Sequence, residues 1–449
     1  MKPIRILITI VITFLAVICF APTAWAFCGF YVAKADTKLY NKASQVVIAR
    51  DGKRTVLTMA NDYQGDVKDF ALVVPVPVVL KQEQVHIGDS KIIERLDAFS
   101  APRLVEYFDE DPCAVDRYED ALRSKAPAPT AGEAGNIKID SNLGVTVESR
   151  FSVGEYDIVV LSAKESNGLE TWLNRNGYKI PQGANKLLQP YIRQKMKFFV
   201  AKVNLAKFEA SGYQLLRPIM MAYESPKFML PIRLGMINST NEQDLIVYIL
   251  SPKGQAEITN YRTVKVPSDA EIPVFVKNEF GNFYKAMFEK SYTQEGKKVA
   301  FLEYAWDMGS CDPCSSEPLS PEELKKAGVF WQNRQSLVIP NVSVPNNPKT
   351  TFITRLHVRY TRDKFPEDLM FQETSNSESF QGRYILRHAF TGQVKCEAGR
   401  QYQRSLKKRF EQESQTLAKL TGWNIQDIRQ KANVNTSQPD SWWRSLWGK

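Results

Sequence analysis

Histidine is scarce in this 449-residue chain: His86, His357 and His388 are the only three, and they stand far apart. A structural zinc site wants four close-spaced Cys or His ligands, so no zinc is expected. The G-x-S-x-G elbow, the H-E-x-x-H pair and the P-loop are all missing. Their absence removes the common signatures of serine hydrolases, zinc proteases and P-loop nucleotide hydrolases. Ser405 to Lys408 fits S-x-x-K, but it lies in a basic helical stretch without the companion S-D-N and K-T-G strings. Strong Gly-x-Gly signals, internal repeats of solenoid period and a regular strand-helix beat are also lacking. After the first 20 residues, no run is long and apolar enough to span a bilayer.

The N-terminus does carry one apolar run, Ile6 to Phe20, behind Lys2 and Arg5 and ahead of Ala24-Trp25-Ala26. That tripartite pattern predicts a signal peptide over residues 1–26 and an exported, periplasmic or secreted, mature chain. Export implies an oxidising space in which disulfides persist. Cys19 leaves with the leader, so the disulfide candidates are Cys28, Cys113, Cys311, Cys314 and Cys396. Five is odd, and the sequence leaves the pairing open. Asp111-Pro112-Cys113 echoes Asp312-Pro313-Cys314, so a link between Cys113 and the CDPC segment is one option.

Cys311 and Cys314 could also be a redox pair. Such a pair needs a lowered thiolate pKa, from a helix N-terminus or nearby positive charge. Here Ser320-Pro321-Glu322-Glu323 predicts the next helix to start six residues beyond Cys314, with a capping box of its own. Asp307, Asp312 and Glu317 surround the thiols with negative charge. A structural bridge is the expected use.

Interleaved strands and helices without a regular beat predict an α+β fold, mainly antiparallel sheet with interspersed helices and a C-terminal amphipathic helix. QVVIARDGKRTVLTM, residues 45–59, reads as a hairpin turning at Asp51-Gly52. FALVVPVPVVL, residues 70–80, is strand-like and reads as an edge strand or an extended crossing because Pro75 and Pro77 lack amide donors. Ser90 to Phe108 reads as two short helices broken at Pro102. Phe280, Phe283, Tyr284, Met287 and Phe288 form a helical core stripe. Residues 27–123 are expected as an N-terminal α+β region, 124–142 as a linker or flexible loop, and 143–398 as the main α+β domain. Residues 399–449 form a basic helical segment with a Trp-rich tail.

Charge is uneven. The chain carries +10, or +8 without Lys2 and Arg5, and residues 399–449 hold ten basic and four acidic side chains. An exported chain is not expected to meet nucleic acid; anionic headgroups or glycans suit the tail better. Trp442, Trp443 and Trp447 beside Arg444 suit peripheral membrane contact, a clasp onto the body or a disordered end. In TRLHVRYTR, Arg355, His357 and Arg359 alternate with apolar residues, so they share one sheet face that could bind an anion. Arg383 and Arg387 would extend it if their strands pair. Asp109, Glu110, Asp111, Asp116, Glu119 and Asp120 crowd one loop, yet the glycine-centred calcium loop is absent and a solvated acidic loop is expected.

Several long strings are distinctive: FCGFYVAKADTKLYNKASQVVIARDGKRTVLTMANDYQGD, LDAFSAPRLVEYFDEDPC, PIRLGMINSTNEQDLIVYILS, the CDPC segment and FPEDLMFQETSNSESFQGRYILRHAF. From about Phe27 to Trp423 the chain resembles a bacterial family catalogued as domain of unknown function 2330. The resemblance implies an exported bacterial protein and assigns no catalytic residue or cofactor. The expected function is non-catalytic binding of an envelope component, glycan or protein partner. The alternatives are an extracytoplasmic hydrolase with an unrecognised carboxylate site and a thiol oxidoreductase using Cys311 and Cys314.

Overall fold

The computed structural model describes residues 30–33, 40–41, 44–60, 63–64, 70–114, 140–141, 145–176, 184–212, 216–237, 242–313, 315–332 and 350–436. The leader, most of the 124–142 segment, Cys28, Cys314 and the tryptophan tail lie outside the described residues. In chain order the strands begin β1 (Phe30–Ala33), β2 (Tyr40–Asn41), β3 (Ser44–Asp51), β4 (Arg54–Ala60), β5 (Tyr63–Gln64), β6 (Phe70–Val76) and β7 (Val85–Ile87). Next come β8 (Arg103–Phe108), β9 (Asp140–Ser141), β10 (Val145–Val153), β11 (Tyr156–Ala163), β12 (Lys197–Val203), β13 (Ile219–Glu224), β14 (Met229–Leu230) and β15 (Gln243–Ser251). The rest are β16 (Ala256–Ile258), β17 (Arg262–Lys265), β18 (Ala270–Glu271), β19 (Val299–Asp307), β20 (Phe352–Tyr360), β21 (Leu369–Glu373), β22 (Phe380–Gln381) and β23 (Arg383–His388). The helices are α1 (Ser90–Ser100), α2 (Ser166–Arg175), α3 (Ala184–Arg193), α4 (Leu205–Ser211), α5 (Phe280–Gln294), α6 (Pro321–Lys326), α7 (Glu397–Thr421) and α8 (Ile425–Thr436).

The fold is α+β, as expected. One sheet of six strands runs β1-β6-β12-β11-β10-β9, antiparallel throughout. A nine-stranded sheet runs β17-β19-β20-β15-β3-β4-β13-β7, with β22 beside β19. Within it β15–β3 and β17–β19 pair in parallel. Strands from before residue 115 and after residue 143 share both large sheets.

Side-chain alternation explains the layering. On β3, Val46 and Ile48 point into a core shared with Leu72 and Val74 of β6, Ile158 of β11 and Phe199 of β12. The two large sheets therefore pack face to face. Val47 and Ala49 point the other way, onto Ile92, Leu96 and Phe99 of α1 and Leu324 of α6. The outer face of the six-stranded sheet, with Val73, Leu161 and Phe198, is covered by Leu169 and Leu173 of α2 and Leu188 and Tyr191 of α3. Burial on both faces is why β3 and β6 read as continuous apolar runs. Each fully buried side chain of this kind contributes about 1.5–3 kcal/mol.

Three local expectations change. The hairpin closes at Asp51–Arg54, so the turn residues are Gly52 and Lys53, and Gly52 takes φ 62. β6 is an interior strand between β1 and β12; the described β1 ladder ends at Val73, so Pro75 lies past it and its missing N–H breaks no bond on that side. Beyond Pro102 the chain forms β8, paired in parallel with β23, rather than a second helix. Pro102 forces Ala101 to extended backbone, ψ 146, which ends α1. The capping box at Ser320 and Glu323 forms as expected. The C-terminal helix α7 ends at Gly422, φ 77.

Candidate functional site

Arg355, His357 and Arg359 do share one face of β20. That face is not open. Arg355 is 6% and His357 9% exposed, so they do not form the open anion-binding face that the alternation suggested. α5 and α1 cover them. The ring of Phe288 on α5 stacks on His357 with centroids 3.9 Å apart, and the Arg359 guanidinium lies 4.9 Å over the same ring. Asp97 of α1 accepts from Arg355 Nη1 at 2.7 Å.

The carboxylates come from three further elements. The β19–β20 register shifts between Leu302 and Tyr304. Such a bulge re-aims a side chain. Leu302 points into the core between the sheets, whereas Glu303 and Tyr304 both point to the helix side. Glu303 is 1% exposed and accepts from Arg355 Nε at 2.6 Å and His357 Nδ1 at 2.8 Å. The Tyr284 hydroxyl of α5 also donates to it. Asp244 of β15 takes His357 Nε2 at 3.0 Å and holds Arg359 through two parallel bonds, each 2.8 Å. Glu289 of α5 accepts from Arg359 Nη1 at 2.6 Å. Three cations thus meet four carboxylates.

Both imidazole nitrogens face carboxylates, so both donate and His357 is an imidazolium. Burial opposes that charge, but Glu303 and Asp244 outweigh it and raise its pKa to about 8. Burial likewise opposes the Glu303 anion, and Arg355 and His357 still hold it down at about 2. Asp244 is pulled below its ordinary value against burial by His357 and Arg359. Chemically the cluster is a closed set of charge-assisted bonds. A general acid or base must reach a substrate proton, and here each ring nitrogen of His357 already has a protein partner.

The other candidates lie elsewhere. Arg383 and Arg387 belong to β23, in a different sheet from β20, and pair with Asp269 and Glu271. Cys113 forms a disulfide with Cys396 at the start of α7, not with the CDPC segment. Cys311 is exposed and free. In the acidic loop, Asp109 accepts from Tyr402 Oη at 2.5 Å and Arg409 Nη1 at 2.6 Å, which binds the loop to α7. Asp116, Glu119 and Asp120 lie outside the described residues. Among the described residues, no three His, Cys, Asp or Glu side chains are grouped to hold a metal ion.

Two surface clefts were not foreseen. One, of about 590 Å³, lies beside α1 and α6 and is lined by Lys91, Arg217, Lys325 and Lys326. Two of those cations are engaged, Arg217 with Glu155 and Lys326 with Asp89. The other, of about 440 Å³, opens on the outer face of the six-stranded sheet. Its floor is two cross-strand rows: Arg150–Val159–Val200 and Ser152–Asp157–Lys202. Trp172 and Asn176, at the end of α2, form a wall. Asp157 is partly buried, but hydrogen bonds from Lys207, Ser152 and Asn204 overcome the burial and hold its pKa at about 2.

A family model described as an uncharacterized protein conserved in bacteria, DUF2330, matches residues 22–372. The chain belongs to this family. The match takes in β1 to β20 and both clefts, and stops short of the Trp423 limit suggested by the quoted strings. No curated protein and no solved structure matches the chain. The DUF2330 assignment brings no activity with it, so the reading of function rests on this chain's own geometry.

Proposed function

We propose that the chain is an exported, non-catalytic binding protein that engages a component of the bacterial envelope. The observation that carries this reading is the contrast in access. Glu303, Arg355 and His357 are buried beneath α5 and α1 with their charges paired, while polar side chains line clefts at the surface. A sealed, fully partnered cluster favours structure over turnover. Export is supported by the leader pattern and by a disulfide joining cysteines 283 positions apart, which an oxidising compartment would keep. Acidic Asp312 stands beside the exposed Cys311, which does not favour a thiol oxidoreductase.

The test is sedimentation of the mature chain, starting at Phe27, with purified envelope fractions. Saturable co-sedimentation without release of new sugar or peptide ends is the expected result. No retention would overturn the binding reading. Steady release of reducing ends, proportional to added protein, would favour the hydrolase instead.

A further inference from the structure

The cleft beside Trp172 has the features of a ligand site that the sequence did not announce. Cross-strand pairing puts Arg150 and Ser152 of β10, Asp157 of β11 and Lys202 of β12 on one face. α2 covers this face with Leu169 and Leu173 and then stops at Arg175, so that among the described residues the two rows stay open. Trp172 is half-buried at that margin, with its flat ring system forming the cleft wall. Arg150 is exposed, and among the described residues its guanidinium has no hydrogen bond or ion pair. Side chains with their own partners surround it, and an unpaired fork of donors suits a planar carboxylate.

We propose that this cleft binds an acidic sugar, a uronate unit of an envelope glycan. The proposal rests on the binding reading above. Arg150 takes the sugar carboxylate through two parallel N–H bonds. The apolar C–H face of the pyranose ring lies on Trp172, whose ring offers a large rigid contact at low entropic cost. Ser152 and Asn176 are placed for ring hydroxyls. Asp157 already accepts from Ser152, Lys207 and Asn204, and a carboxylate has about four acceptor positions, so one remains for a sugar hydroxyl. Asp157 is already paired with Lys207, so among the described residues Arg150 is the one guanidinium of the cleft left open, and it matches the single charge of a uronate better than a dianionic phosphate. The volume, about 440 Å³, falls at the lower end of small-ligand sites and suits one or two sugar rings.

Titration calorimetry of the full mature chain with tri-galacturonate, and with a neutral galactose trisaccharide, tests this. The wild type is expected to bind the acidic trisaccharide and to bind the neutral one at least about tenfold more weakly. Arg150→Gln and Trp172→Ala should each weaken the acidic ligand by about tenfold or more, and Trp172→Phe should lose less than Trp172→Ala. Far-ultraviolet circular dichroism and a urea midpoint check that the variants fold. Wild-type affinity in a folded Arg150→Gln, or no binding of tri-galacturonate by the wild type, would overturn the proposal. Envelope co-sedimentation in parallel separates the two failures. Retention with no effect of Arg150→Gln sinks this site and spares the binding reading; no retention sinks both.

Discussion

On β20, Arg355, His357 and Arg359 alternate with Leu356, Val358 and Tyr360; on β10, Arg150 and Ser152 alternate with Phe151 and Val153. Both strings place polar side chains on the face turned away from the partner sheet. The first set lies under α5 and α1 and is answered by Glu303, Asp244, Asp97 and Glu289. The second lies past the end of α2, and Arg150 meets no partner among the described residues. Alternation alone tells which residues share a face. Whether that face holds the fold together or meets a ligand depends on the helix laid over it, which is fixed by apolar residues far away in sequence.

The comparison can be broken most decisively at Glu303. Removing its charge leaves Arg355 and His357 buried without their shared anion, so Glu303→Gln should cost about 3–5 kcal/mol in urea unfolding. The matching change in the cleft, Asp157→Asn, touches a half-exposed ion pair and should cost no more than about 1 kcal/mol. Similar losses at the two positions would erase the distinction. Reducing Cys113–Cys396 sharpens it from outside both regions: this bridge closes a very long loop, so its loss should cost about 2–5 kcal/mol. Uronate affinity of the still-folded reduced protein should stay unchanged, as read by calorimetry.

The pH dependence is smaller. His357 rises from 6.5 to about 8 on folding, so its stabilisation is complete below pH 6.5 and is lost as pH rises through 8, about 2 kcal/mol in all. Glu413 acts in the same direction: burial raises it to about 7 despite Arg409, so its ionisation opposes folding as pH climbs past its ordinary value near 4.5. Glu303 and Asp244 act oppositely, and their contribution fades only in acid. Unfolding free energy should therefore fall from about pH 4.5 to about pH 9, Glu413 carrying the lower part, and His357→Gln should flatten the part above about pH 6.5. A profile in the variant as steep as in the wild type would place the titrating group elsewhere.

Much of the fold was legible where one residue type has one use. The β3–β4 hairpin and the Ser320 capping box were both readable from local chemistry. Pro75 misled, because a missing amide marks an edge only when the neighbouring ladder runs that far. The β8 strand was hidden because RLVEYF is too short for its alternation to stand against a preceding helix. The candidate site was less legible. Arg355, His357 and Arg359 were grouped correctly, but Glu303 became their partner through a bulge that leaves no mark in FLEYAW. The cleft had a weak signal, the alternation of SRFS and EYD about the Gly154 turn. Its meaning depends on where α2 ends, which no residue in those strands reports.

Equilibrium urea unfolding of Arg355→Gln and Arg150→Gln side by side tests most directly whether one charged face serves the fold and the other a ligand. The account predicts a loss of about 3–5 kcal/mol for Arg355→Gln and a change within about 0.5 kcal/mol for Arg150→Gln. Equal effects, or a larger loss at Arg150, would contradict it.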